Sequence, residues 1–173
     1  MKKVHIIFKT HLDLGFTDYA NNIVELYNTK FIPEAIKLSK SVNTPTTKKF
    51  IWTTGSWIIK NALNTADNSI KQMLIDALKN GDIAVHGLPF TTHSELLDED
   101  TFLFGLEIAK ELSVYTNQSI IAAKMTDVPF HSKAIIPLLN RFGIKLLHIV
   151  VNEGSTVPEV PAAFVWKHNG AKV

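Results

Sequence analysis

Five short apolar runs, separated by stretches of helical period, set the limits on what this chain can fold into. The runs at residues 4–8, 49–53, 83–85, 120–124 and 146–151 read as strands. The first is apolar at nearly every position, the pattern of a strand buried on both faces. Between the first two runs, residues 18–41 carry Ile23, Val24, Tyr27, Phe31, Ala35 and Leu38 at steps of three and four, with Pro33 expected to kink or divide the helix. Gly55 is expected to break the second run before the short apolar Trp57-Ile58-Ile59. Residues 67–79 form the clearest helix, with Ile70, Met73, Leu74, Ala77 and Leu78 on one face and Asn80-Gly81 as the stop. Residues 98–115 open on three acidic residues at the positive end of the helix dipole. Residues 132–142 form a helix ended by Gly143, whose regular part starts late because of Pro137. Beyond Asn152 the chain is Pro-rich and irregular, with Phe164-Val165-Trp166 read as one more short strand. A βαβα series joined by right-handed crossovers predicts an α/β domain with a parallel sheet, open or rolled into a barrel.

At 173 residues, with 46% hydrophobic and 20% charged, the chain has the length and composition of one globular domain. A formal charge of +2, with basic residues such as Lys48-Lys49 scattered, argues against nucleic acid or an anionic membrane as partner. The absence of cysteine excludes disulfides, thiol catalysis and cysteine zinc sites. No run approaches the roughly 20 apolar residues of a membrane span. The segment after Met1-Lys2-Lys3 is too short and polar for a secretory signal, so a cytoplasmic location is expected. The GxGxxG and GxxxxGK[ST] phosphate loops are missing, which argues against nucleotide binding.

In parallel α/β folds, ligands bind beyond the carboxyl ends of the strands. There the chain places His11 and Asp13, then Thr53, Thr54 and Ser56, then His86 to Glu95 with His93 between them, then Asp127 and His131, then His148, Asn152 and Glu153. His11-Leu12-Asp13 puts an imidazole and a carboxylate at i and i+2, on one side of an extended chain. Both are good ligands for a first-row metal, and Asp127 is the natural third. Taken alone, the pair equally suits a polar strand end, with Asp13 in an Asx-type turn into Gly15. Joint placement at strand ends favours a site.

Thr10-His11-Leu12-Asp13-Leu14-Gly15-Phe16-Thr17 resembles the H-x-D-x-G-W/F motif of family 38 glycoside hydrolases, the retaining α-mannosidases. Phe50-Ile51-Trp52, residues 81–87 (GDIAVHG) and residues 126–132 (TDVPFHS) are similar to further segments of that family, in the same order. The resemblance implies a seven-stranded (β/α) barrel with one Zn2+ on its rim. It implies His11, Asp13 and Asp127 as metal ligands, and Asp127 also as catalytic nucleophile. Phe16 would form an apolar wall for the sugar, with His93 and His131 as further substrate contacts. The family's remaining zinc ligand is a histidine expected beyond residue 173, and five βα units fall short of seven. Residues 1–173 are therefore expected to be a partial (β/α) barrel, the amino-terminal part of a longer catalytic domain and inactive by itself. Association with further copies or with the remainder of the barrel is expected in turn. Glu95, Asp98 and Glu153 are candidates for the general acid. The alternatives are a metal-dependent carbohydrate deacetylase or amide hydrolase on a similar barrel, and a non-catalytic carbohydrate-binding domain.

Overall fold

The computed structural model describes residues 3–173; Met1 and Lys2, part of the amino-terminal reading, lie outside the described residues. Strands β1 (Phe8–Lys9), β2 (Trp52–Gly55) and β3 (Ile83–His86) form one parallel sheet in that order. Strands β4 (Ala122–Thr126) and β5 (Leu146–Val150) form a second parallel pair. The Gly87 N–H donates to the Ala122 carbonyl at 2.8 Å, so β4 follows β3 and the strands run 1-2-3-4-5. Such a series has no reversal of strand order, and hence no switch point of the doubly wound kind.

The first strand differs most from its sequence pattern. Only Phe8 and Lys9 pair, and Ile7 is 70% exposed. β1 is an edge strand bonded to β2 alone, so its first residues gain neither a neighbouring ladder nor a covering helix. The long helical stretch is not divided at Pro33. α1 (Ala20–Leu26) runs through a π-helical turn, Tyr27–Phe31, into α2 (Ile32–Val42). The Ile32 N–H bonds back to the Tyr27 carbonyl, an i→i+5 bond. This wider turn accommodates Pro33, which lacks an N–H and would clash in a regular helix.

Gly55 ends β2, as the sequence pattern predicts, and the chain passes directly into a helix. It is the extended N-cap of α3 (Ser56–Thr65), whose Ile58, Ile59 and Ala62 are fully buried. α4 (Asn68–Lys79) is capped by the Asp67 carboxylate, which accepts the Ile70 N–H at 2.9 Å. α5 (Glu99–Leu112) is capped likewise by Asp98, and α6 (Ile135–Arg141) starts only two residues before Pro137. The expected strand at 164–166 is replaced by a hairpin of β6 (Lys167–His168) and β7 (Ala171–Lys172). Its turn, Asn169-Gly170, has positive φ at both residues (46° and 77°), as a two-residue hairpin loop requires.

The core has two parts. One joins β2 and β3 to α1–α4 and part of α5 around Ile58, Ile59, Leu74, Leu78 and Ile83. The other joins β4 and β5 to α5 and α6 around Leu106, Met125, Ile136 and Leu139. Among the described residues, no helix is long and apolar enough to cross a membrane.

Gly55 sits where β2 meets the chain leaving β3, and a Cβ there would lie 2.3 Å from the Pro89 carbonyl oxygen. Gly55→Ala is expected to cost about 2 kcal/mol or more in urea unfolding. Gly154→Ala, whose nearest neighbour would be 3.7 Å away, should cost little. Equal stability of the two variants would contradict this packing.

Candidate metal centre

Leu12 explains the His-Leu-Asp step. Its side chain is buried in the helix-side core, so the residues flanking it face the other way. His11 Nε2 lies 3.5 Å from Asp13 Oδ2 and 3.5 Å from Asp127 Oδ2. One ligand atom from each of the three residues falls within 4.8 Å of the others. For zinc bonds of about 2.0–2.1 Å, tetrahedral geometry puts neighbouring ligand atoms about 3.4 Å apart. The two histidine distances match that edge. The side chains are 39%, 33% and 45% exposed, so the centre is open to solvent on one side.

The spacing also reveals curvature. On a flat sheet three strand intervals would separate β1 from β4 by about 14 Å, too far for an imidazole and an aspartate to meet. The strands must bend toward one another on the face away from the helices.

Each side chain has a local support. Tyr27, in the π-helical turn, donates its hydroxyl to the His11 carbonyl at 3.2 Å and stacks on Trp52. Burial raises the Tyr27 pKa, which keeps this donor protonated. Sequence periodicity marks Tyr27 as a core residue; its bond to His11 joins residues 16 positions apart and is visible only in the folded chain. The Asp127 N–H extends the β4–β5 ladder to the Val150 carbonyl at 2.9 Å. There the chain leaves the strand with φ +70° at Asp127 and +60° at Phe130. Non-glycine residues in this region cost about 1–2 kcal/mol each, and such strain gathers at functional sites. Among the described residues, no hydrogen bond ties the Asp13 carboxylate to the turn at Gly15, so an Asx turn does not account for it.

The other candidates lie outside the three-residue cluster. Phe16 is 86% exposed. His93 is exposed, whereas His131 is half-buried, with Nδ1 3.5 Å from the Ser94 hydroxyl and Nε2 enclosed without a partner. Ser94 also accepts the Ser132 N–H at 2.9 Å, tying the loop after β3 to the loop after β4. Burial pushes the His131 pKa down, and His93 acts in the same direction. Asp98 is occupied as a helix cap, and its hydrogen bonds with Thr101 hold its pKa below the usual range, the wrong direction for a general acid.

No family model and no curated protein matches this chain. Solved structures do. One is the crystal structure of a 4-alpha-glucanotransferase from Thermococcus litoralis, with a TM-score of 0.57 and 14% identity over 82% of this chain. This chain spans 22% of that protein's length. At that identity the likeness speaks to the fold, a mixed α/β arrangement built on short parallel sheets.

His86, buried at the end of β3, accepts the Leu88 N–H on Nδ1 at 3.3 Å. Burial, then the charges of Lys124 and Lys9, lower its pKa from 6.5 to about 3. The unfolded chain takes up this proton near pH 6.5 and the folded chain only near pH 3. The folded state is therefore unpenalised above pH 6.5 and loses up to about 1.4 kcal/mol per pH unit between there and about pH 3. His86→Gln should flatten the fall of the urea midpoint between pH 6 and 4; an unchanged slope would exclude His86 as its source.

Proposed function

We propose that this chain is part of a zinc-dependent retaining glycoside hydrolase of the family 38 type, acting on α-mannosides or related sugars. The observation that carries the reading is the convergence of His11, Asp13 and Asp127, from the ends of β1 and β4, to zinc-like spacing. The parallel strands in sequential order and their curvature support an arc of a (β/α) barrel with the site on its carboxyl rim. The likeness to a 4-alpha-glucanotransferase, a carbohydrate-active enzyme, agrees in general character.

In this reading His11, Asp13 and Asp127 would hold a zinc ion, which would supply Lewis acidity to oxygens of the sugar. Asp127 attacks the anomeric carbon as the glycosidic C–O bond breaks, forming a glycosyl-enzyme that water then cleaves. His11 and Asp13 fix where the ring stands relative to that carboxylate, with Tyr27 holding the His11 backbone in place. The general acid that protonates the leaving oxygen, and the family's remaining histidine ligand, come from outside the cluster described.

Titrating zinc into metal-free protein should give one site per chain, a rise in melting temperature, and loss of both in His11→Ala. No binding in the wild type would sink the metal assignment. In the complete enzyme, Asp127→Asn should lower turnover by roughly 1,000-fold or more. Asparagine tolerates positive φ, so the fold should survive. Retained turnover would remove Asp127 as nucleophile, and acetate release from N-acetylated sugars without fluorosugar labelling would favour the deacetylase alternative.

A further inference from the structure

The sheet face away from the helices carries basic side chains that the metal centre does not use. Along β4, Ala123 and Met125 enter the core, which leaves Lys124 and Thr126 on the opposite face. Leu12 does the same for the first strand, setting Lys9 on one face with His11 and Asp13. Ile83 and Val85 pack against the helices, so His86 faces away from them. His148 is the register partner of Lys124 across the β4–β5 pair. Lys9, His86, Lys124 and His148 therefore share one face just below the metal rim. The charges of Lys9 and Lys124 both act on His86 and on His148, as neighbours would.

This group is rich in donors and lacks a counter-charge. Lys124 is 6% exposed, and its ammonium gives one hydrogen bond, to the Thr126 hydroxyl at 2.9 Å. An ammonium has three hydrogens to place. Among the described residues no carboxylate lies within ion-pair distance of Lys9 or Lys124. Because His86 Nδ1 accepts the Leu88 N–H, its proton sits on Nε2, making that nitrogen a donor. Burial lowers the Lys124 pKa to about 8, which still leaves it mostly charged at neutral pH. A buried charge without a partner is costly, and an anion would offset that cost.

We propose that Lys9, Lys124, His86 and His148 form a subsite for a carboxylate or phosphate group carried by the sugar, so that the substrate class is an acidic or phosphorylated glycoside. This assignment rests on the glycosidase reading for the sugar, though the anion site itself needs no metal. Lys9 and His11 are two residues apart on one strand face, about 7 Å along the chain, comparable to the span of a pyranose ring between its ring hydroxyls and an acidic substituent.

The test measures binding of inorganic phosphate, glucuronate and glucose to the full chain by calorimetry at low salt, after EDTA treatment. Phosphate and glucuronate should bind saturably, glucuronate at least tenfold tighter than glucose. Lys124→Met, similar in volume, should weaken both anions at least tenfold, and Lys9→Met gives the same reading from an exposed position. Lys133→Met, at an exposed site elsewhere, should leave binding unchanged. Absence of anion binding, or equal binding in Lys124→Met and Lys9→Met, would overturn the subsite. Phosphate binding without preference for glucuronate over glucose would overturn the acidic-sugar assignment and identify the source as a free anion. A wild type that binds these anions but takes up no zinc would keep the subsite and remove the metal reading, whereas one that takes up zinc but no anion would do the reverse, so the two fail separately.

Discussion

The bond from the Gly87 N–H to the Ala122 carbonyl, at 2.8 Å, is the contact on which the rest of the arrangement depends. It joins a three-stranded and a two-stranded parallel sheet into one series. It sets β4 beside β3, which brings Asp127, at the end of β4, round toward His11 after β1. Gly87 leaves room there for the end of the Ile144 side chain, which would stand 2.6 Å from a Cβ at that position.

Curvature follows from the same constraint. Helices cover one face of the strands, and the other face becomes concave enough for side chains from the first and fourth strands to meet. That concave face has two levels. At the rim stand an imidazole and two carboxylates; below them stand two lysines and two further histidines. The lysines precede the carboxylates along β1 and β4, so opposite charges are separated along the strands.

Much of the fold could be read from the sequence. The periodic helices at α4 and α5 and the short strands around Trp52, Val85, Lys124 and Ile149 follow from local pattern, since each buries a face set by its own period. The differences have specific causes. Val4 to Ile7 are apolar yet exposed, because burial depends on neighbours that local pattern does not contain. Pro33 sits within a continuous helix because a π turn absorbs it. Phe164 and Val165 precede the hairpin rather than pair within it, because its strands flank the Asn169-Gly170 turn.

By itself the sequence determined the chemical types available and their positions at strand ends: no cysteine, a His-Leu-Asp step, an aspartate after the fourth strand, and an alternation that puts Leu12 on the side opposite His11 and Asp13. Those are local properties, decided by residue identity and period. Only the tertiary structure decided that His11 and Asp127, 116 positions apart in the chain, approach to 3.5 Å, that Tyr27 reaches the His11 carbonyl, and that Lys124 is buried without a carboxylate beside it. Each of these depends on how far the sheet bends, and that bend is set by packing between strands and helices distant in sequence.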